Sequence, residues 1–295
     1  DTVHPLGTLG DHPWRQQDGR CFGPGILDMK SGILIALEAI AGLQRTAWRP
    51  RLPITMILTS DEEVGSPTTR DLVEAEAARH RYVLVPEPAR RNGGVVVGRH
   101  AISRYDMETT GTPSHAGLDP KMGRSAIHEM ARQILAVESF SGDGNTFSVG
   151  VVHGGTWVNC VPKQCRAEIL VVSKTEQDRL DAQLRLAGLR SHADGTGVAV
   201  RPRSVRPLWA PDAAGQVLYE TAREVARGLG VDLPCENSGG GSDANFTGAM
   251  GITTLDGLGA RGDGAHTLQE YIVMDSLVER SRLFAGLLAL LCGAR

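Results

Sequence analysis

Acidic residues cluster where a strand-like segment runs into a turn. The run S-D-E-E-V-G-S at residues 60–66 follows an apolar segment, residues 52–59, that predicts a buried strand. Adjacent carboxylates at a strand end point in different directions, so one can ligate a metal while the next accepts a proton from water. Taken alone, this run is also compatible with an acidic turn in solvent.

Three further residues occupy comparable positions. Asp28 lies in a glycine-rich turn before an apolar helix, Glu87 follows an apolar strand between two prolines, and His266 lies in a glycine-containing loop. Functional residues of open α/β sheets collect where strands end. Together with Glu63 they form a set that suits zinc or a similar divalent ion, with Glu62 left as a base. Each residue alone is more often a surface residue, so the joint pattern carries this prediction.

Seven motifs follow one another along the chain: D-T-V at 1–3, G-P-G-x-x-D-M-K-S-G at 23–32, T-S-D-E-E-V-G-S at 59–66, P-E-P at 86–88, S-H-A-G at 114–117, G-G-G-S-D-A-N at 239–245 and G-A-H-T at 264–267. In this order they resemble the co-catalytic dizinc metallopeptidases. That superfamily includes glutamate carboxypeptidase (carboxypeptidase G), aminoacylase, acetylornithine deacetylase and succinyl-diaminopimelate desuccinylase. The chain is most similar to the carboxypeptidase G-like members.

The resemblance implies two zinc ions per subunit, with cobalt or manganese as alternatives. Asp28 would bridge them, Glu63 and His266 would complete one site, and Glu87 would belong to the other. The family also has a cis peptide bond after the bridging aspartate, here between Asp28 and Met29.

The resemblance further implies two catalytic residues. Glu62 would be the general base and acid in amide hydrolysis, and Asp1 is the aspartate of the family's H-x-D-T-V motif. The ligand histidine of that motif would lie upstream of residue 1, and His4 lies on the wrong side to replace it. We therefore expect a fragment that lacks the first strands of the family's catalytic domain, with a weakened second zinc site.

Three residues are expected to contact substrate. His115 resembles a family histidine that reaches across a dimer to the scissile carbonyl, and Asn159 resembles an asparagine that holds the substrate. Gly240 lies in a triple glycine that would let the substrate approach the backbone. It lacks the lysine of a nucleotide-binding P-loop.

The expected anchor for a substrate carboxylate is missing. Relatives carry a D-V-R triplet where this chain has Leu170, Val171 and Val172. An apolar side chain cannot replace the bidentate pair of arginine with a carboxylate. Arg206 and Lys174 are the candidates to take its place.

The elements that position these residues predict an α/β fold. Residues 1–98 and 207–295 alternate helix and strand, which predicts one α/β domain, and the resemblance implies that it is a catalytic domain like that of the zinc peptidases. Residues 99–206 follow the order βαββαβ, which predicts an inserted ferredoxin-like domain, and the resemblance implies that this domain is the lid and forms the dimer. The element predictions are helices near 30–44, 66–79, 123–139, 175–189, 213–229 and 274–292, and strands near 53–59, 81–86, 94–98, 103–111, 146–153, 164–173, 197–205 and 252–255.

Composition narrows the classes of partner. With 31 basic and 34 acidic residues, the net charge of −3 indicates neither nucleic acid nor membrane as a partner. The five cysteines form no C-x-x-C pair, which favours reduced thiols and a cytoplasmic enzyme.

Two classes of function fit the residues. The first is a zinc-dependent hydrolase acting on a small peptide or an N-acyl amino acid, as a carboxypeptidase or a deacylase, in a homodimer formed by the lid. The second is a non-catalytic binding protein that retains the fold. The missing D-V-R arginine and the missing ligand histidine slightly favour the binding protein. Retention of the base and of the ligand set favours the enzyme, because a site that had lost its chemistry would be expected to lose its base first, since that carboxylate contributes little to folding.

Overall fold

The chain forms two compact units. A computed structural model describes residues 1–293. The α/β unit comprises Asp1–Arg99, Trp209–Ser238 and Ser242–Arg295, and the inserted unit comprises His100–Leu208 with Gly239–Gly241. Among the described helices, none has both the length and the apolar composition that a membrane span requires.

Helices and strands follow one another along both units. The helices are α1 (Thr8–Asp11), α2 (Ser31–Gln44), α3 (Arg70–Ala77), α4 (Ala126–Glu138), α5 (Glu176–Ala187), α6 (Ala213–Gly228), α7 (Ala244–Ala249) and α8 (Met274–Cys292). The strands are β1 (Arg15–Gln17), β2 (Arg20–Phe22), β3 (Tyr82–Leu84), β4 (Val95–Arg99), β5 (Ala101–Thr110), β6 (Asn145–Gly154), β7 (Gln164–Ser173), β8 (Gly197–Arg206), β9 (Cys235–Ser238), β10 (Thr253–Leu255), β11 (Gly262–Asp263) and β12 (Tyr271–Val273). Short helical turns occupy Ile26–Lys30, Glu62–Val64 and Pro120–Met122.

The α/β unit combines parallel strand pairs with a small antiparallel sheet. Strand β3 pairs with β10 and β4 pairs with β9, both in parallel, whereas β1, β2, β12 and β11 form an antiparallel sheet in that order. Leu283 and Leu287, one helical turn apart on α8, are buried in the same core as Ile35 of α2. This packing holds α2 in place, and α2 begins directly after the loop that carries Asp28.

The inserted unit has a single antiparallel sheet in the order β6-β7-β5-β8, with α4 and α5 packed against it. Met107 of β5 and Ile169 of β7 share a core with Met130 of α4 and Leu186 of α5. Ser125 caps α4 and Thr175 caps α5, each by accepting a backbone N–H bond. The βαββαβ arrangement confirms the predicted ferredoxin-like insertion in an α/β fold.

The predicted strand at residues 53–59 is wrong. These residues form no strand, and within the described part of the chain no ladder of backbone hydrogen bonds pairs them with a neighbour. Leu52 and Leu58 are exposed, although Ile54 and Met56 pack against the core of the unit. An apolar run adopts strand geometry only where an adjacent strand accepts its hydrogen bonds.

Helix α3 begins at Arg70, four residues later than the predicted start at residue 66. Ser66 has a left-handed backbone with φ of 56°, and Thr68 and Thr69 are bonded to Asp61 instead of starting a helix. The four strands of the small antiparallel sheet were not predicted, because they are short and lack strong alternation.

Candidate metal centre

Asp28, Glu63 and His266 converge in the α/β unit. His266 Nε2 lies 3.2 Å from Asp28 Oδ2 and 3.5 Å from Glu63 Oε2. One ligand atom of each residue lies within 4.8 Å of the other two. Two carboxylates and an imidazole at this spacing form a set that binds zinc and related divalent ions.

Asp28 is presented by the loop between β2 and α2. Gly25, with φ of 67°, allows the chain to turn from β2 into the short helical turn Ile26–Lys30. The backbone N–H groups of Gly25, Leu27 and Asp28 all donate to the buried carboxylate of Glu270. The peptide bond between Asp28 and Met29 is cis, as the resemblance implied.

Glu63 is presented by the turn Glu62–Val64, which is held by the preceding residue. The Asp61 carboxylate accepts bonds from Thr68 N at 2.7 Å, from Thr68 Oγ1 at 2.6 Å and from Thr69 Oγ1. Burial alone would raise the pKa of Asp61, but these bonds lower it to about 2. Asp61 therefore acts as a structural anchor beside the two glutamates.

His266 lies in the hairpin loop between β11 and β12 and has a φ of 65°. A non-glycine residue in this left-handed region is uncommon and often marks a functional position. The hydrogen bond to Asp28 and the charge of Glu63 raise the pKa of the imidazole although its burial opposes this. The ring is thus oriented toward the two carboxylates.

Glu62 and Glu87 line the same cavity of about 790 Å³ as Asp28 and Glu63. Glu87 is 8% exposed, and burial together with the charges of Asp28 and Glu62 raises its pKa well above the usual range. Burial and the charge of Asp28 likewise raise the pKa of Glu63. Carboxylates crowded in this way repel one another, and a divalent cation between them offsets the repulsion. The residues present therefore fit a metal ion.

Asp1 lines this cavity as well. The neighbouring His4 is not part of the three-residue cluster, because its Nε2 pairs with Glu270 Oε2 at 2.9 Å. The predicted roles of Asp1, Glu62 and Glu87 stay predictions.

The other predicted residues, His115, Asn159, Arg206 and Gly240, lie in the inserted unit. The Nδ1 atom of His115 accepts the N–H groups of Gly117 and Leu118, each at 3.1 Å, which places the proton of a neutral ring on Nε2. The loop of Asn159 runs beside that of His115, since Ala116 N donates to Asn159 O at 2.9 Å.

Arg206 lies at the end of β8 and is 5% exposed. A Cβ atom on Gly241 would lie 2.8 Å from its Cδ atom, so the absence of a side chain there makes room for Arg206. Gly240 is exposed next to this contact.

Sequence reasoning missed the residues that support the site. Glu270 holds the Asp28 loop, and Asp61 holds the turn of Glu63. Arg99 and Asp256 form a buried pair at 2.6 Å whose charges reach Glu87. The pair Thr68-Thr69, seven and eight residues after Asp61, is a weak sequence signal for a local bond to that aspartate. The contacts of Glu270 and of Arg99 span more than a hundred residues, so no local pattern indicates them.

The sequence is similar to known metallopeptidases and deacylases along almost its whole length. The profile of Peptidase family M20/M25/M40 matches residues 1–290. Carboxypeptidase G2 from Pseudomonas sp. (strain RS-16) is 28% identical over 298 residues, which cover 98% of this chain and 71% of that protein. Acetylornithine deacetylase from Myxococcus xanthus is 27% identical over 302 residues, covering 95% of this chain and 75% of that protein.

Solved structures share the fold. A metallo-carboxypeptidase of the same family from Sulfolobus solfataricus superposes with a TM-score of 0.74 at 15% identity, covering 98% of this chain and 82% of that chain. Human carnosine dipeptidase 1 superposes with a TM-score of 0.69 at 14% identity, covering 97% of this chain and 78% of that chain.

Proposed function

Because the chain belongs to Peptidase family M20/M25/M40, and is therefore a hydrolase of peptide or amide bonds, we propose that it is a glutamate carboxypeptidase-like exopeptidase. Its substrate is a small peptide or an N-acyl amino acid with a free carboxylate. The observation that carries this proposal is the convergence of Asp28, Glu63 and His266 beside the cavity that Glu62 and Glu87 line.

Two zinc ions would be held by the carboxylates and the imidazole of this site. The charge of Asp28 raises the pKa of both Glu63 and Glu87, which supports a position for Asp28 between two metal sites. Glu63 and His266 would hold the first ion with Asp28, and Glu87 would contribute to the second site. When bound, such ions polarise a carbonyl group and lower the pKa of water.

Glu62 is the general base in this proposal. It adjoins a ligand in the turn Glu62–Val64 and lines the same cavity as Asp28. Its carboxylate accepts a proton from the attacking water and then donates it to the leaving amide nitrogen. The neighbouring Asp61 is bonded to two threonines and is not available for this transfer.

Arg206 binds the substrate carboxylate in place of the missing arginine. On the inserted sheet, Val172 is opposite Ile102, and Ile102 is opposite Arg206, so the three residues form one row across β7, β5 and β8. Core residues Val171 and Tyr105 face the helices, and this row lies on the other face. Arg206 therefore occupies the same face as the position that relatives fill with arginine. Gly240 precedes the Gly241 that packs against Arg206, and in this proposal it would let the substrate approach the backbone.

The inserted unit forms a homodimer, with His115 serving the active site of the partner. Strand β6 is at the edge of its sheet, and Val151 and Val152 are exposed along it. Ile127 and Leu135 expose further apolar surface on α4. An apolar edge strand beside an apolar helix face is suited to pairing with a second copy.

A deacylase is the second candidate, supported by the similarity to acetylornithine deacetylase. The two candidates differ in the substrate that the lid selects. They share the metal centre and the base.

A panel of dipeptides and N-acyl amino acids tests the proposal. Each substrate is offered with a free carboxylate and as the C-terminal amide, to protein supplied with zinc and to protein treated with a chelator. We expect zinc-dependent hydrolysis of the free-carboxylate forms and a large rise in KM when Arg206 is replaced by Met. Zinc-loaded protein that binds but never hydrolyses these compounds would instead identify a non-catalytic binding protein.

A further inference from the structure

We infer that Glu270 is a positioning residue that holds the loop of Asp28 in its metal-binding conformation, and that His4 supports it. Neither residue belongs to the ligand set or to the general base described above. The inference deepens the proposed function, on whose metal site it rests.

The Glu270 carboxylate is a buried hub of hydrogen bonds. It is 2% exposed. Its Oε1 atom accepts the N–H groups of Leu27 and Asp28, each at 2.8 Å, and its Oε2 atom accepts Gly25 N at 2.7 Å and His4 Nε2 at 2.9 Å. Four donors thus converge on one carboxylate, and three of them are backbone groups of the segment that ends at Asp28.

Sheet register explains how this contact arises. Strand β12 pairs with β2 so that Tyr271 is opposite Phe22, which places Glu270 beside the turn that follows β2. Gly23 N also donates to the Glu270 backbone carbonyl. The loop between β11 and β12 contains both His266 and Glu270. One hairpin therefore supplies a candidate ligand and fixes the loop that carries another.

Residues 2–4 also contact Glu270 and the loop of Asp28. The His4 side chain is 7% exposed, and its Nε2 must carry the proton because a carboxylate accepts only. A Cβ atom on Gly25 would lie 2.2 Å from Thr2 Cγ2, so residues 2–4 lie directly against the Asp28 loop. His4 thereby supports the metal site through Glu270, without taking part as a ligand.

The physical consequence is orientation of Asp28. Charge-assisted bonds to backbone N–H groups are stronger than neutral ones and fix a loop that contains glycine and would otherwise sample other conformations. Outer groups of this kind commonly change metal affinity by about 10- to 100-fold when they are removed.

The main test replaces Glu270 by Gln. The amide group has one accepting oxygen, so at least one backbone N–H of the loop loses its acceptor. We expect faster hydrogen exchange of the amides of Gly25, Leu27 and Asp28 in metal-free protein. We also expect roughly 10- to 100-fold weaker cobalt(II) binding, with an altered cobalt absorption spectrum. Turnover should fall through kcat, with little change in KM.

Glu129 provides a matched control. It is also a glutamate that is 2% exposed and accepts a backbone N–H bond, but it lies in the inserted unit. Glu129→Gln should lower thermal stability without changing cobalt affinity or exchange at residues 25–28. If Glu129→Gln weakens cobalt binding as much as Glu270→Gln does, the effect is general destabilisation and the inference is wrong.

A double-mutant cycle tests the part played by His4. His4→Ala should weaken cobalt binding in wild type but have little further effect in the Glu270→Gln background, because both act through one carboxylate. An undiminished effect in that background, or the loss of one bound ion, would make His4 a ligand and overturn its supporting role.

The outcomes separate this inference from the proposed function. Hydrogen exchange and cobalt affinity require no substrate, so a protein that hydrolyses nothing in the panel can still confirm the role of Glu270. Conversely, an active enzyme in which Glu270→Gln leaves exchange, cobalt affinity and spectrum unchanged would overturn the inference and leave the function intact.

Discussion

Two kinds of buried carboxylate occur in this protein. Glu87 in the α/β unit and Glu129 in the inserted unit are 8% and 2% exposed. Burial by itself acts to raise the pKa of both carboxylates. The net shifts nevertheless differ in direction, because the pKa of Glu87 lies well above its usual range and that of Glu129 lies below it. Burial alone therefore does not decide the state of a carboxylate here.

The difference lies in the partners of each group. Glu129 accepts bonds from Gln133, Thr196 and both the backbone and the ring of His192. Glu87 instead faces the charges of Asp28, Glu62 and Asp256, with Arg99 as the opposing charge. Hydrogen-bond donors stabilise the ionised form of Glu129. The neighbouring negative charges destabilise the ionised form of Glu87, and a bound cation would offset this repulsion.

The same contrast exists between the adjacent residues Asp61 and Glu62, for which we expect the largest effect on kcat. Asp61 is satisfied by hydrogen bonds, and Glu62 is the proposed base. Glu62→Gln should retain zinc but lose roughly three orders of magnitude in kcat, because removing a general base disables proton transfer. Asp61→Asn should keep most of the kcat of correctly folded protein while lowering its stability. Equal loss of kcat in both variants would contradict the division of roles.

Glu63 should show the next largest effect, on metal content. Glu63→Gln removes a charged ligand from the three-residue cluster, and we expect a metal affinity lower by roughly a hundredfold or more. Zinc analysis after dialysis measures this, with Glu62→Gln as the control that keeps its metal. Equal zinc in wild type and Glu63→Gln would reverse the assignment of the two glutamates.

The sequence predicted local features better than long-range ones. The apolar pattern of α8 predicted its limits at residues 274 and 292, and the βαββαβ order of the insertion followed from periodicity. The motif order also singled out Asp28, Glu63 and His266, which the structure brings together. These features depend on short stretches of sequence.

Features that depend on a distant partner were not predictable. Residues 52–59 have the composition of a strand but lack a neighbouring strand among the described residues. The role of Glu270 depends on the register between β2 and β12, which join residues about 250 positions apart. No periodicity in the sequence specifies that register.

Subunit mixing asks whether the inserted unit supplies part of a partner's site. Glu62→Gln and His115→Ala homodimers should each be inactive. Hybrids would contain one complete site, so random exchange should restore about a quarter of wild-type activity. Activity measured before and after subunit exchange checks this, with each parent alone as the control. A monomeric, fully active protein would exclude the cross-subunit role of His115.

The smallest effects should have opposite signs in the two kinds of carboxylate. Glu129→Gln removes a well-bonded charge and should destabilise the protein by about 2 kcal/mol at neutral pH. Glu87→Gln removes a like charge from a crowded group and should stabilise the metal-free protein by about 1 kcal/mol, while weakening metal binding.

The pH dependence of the Glu129 effect follows from the direction of its shift. Its folded-state pKa lies below the ordinary value of 4.5, so the unfolded chain binds the proton first as the pH falls. The stability that Glu129 contributes is complete above pH 4.5 and is lost as the pH falls from there through the lowered pKa. Urea unfolding at several pH values measures this, with the Gln variant as reference, since it lacks the titrating group. The free-energy difference between wild type and Glu129→Gln should therefore narrow in acid, and a difference that stays constant or widens there would contradict the lowered pKa of Glu129 in the folded protein.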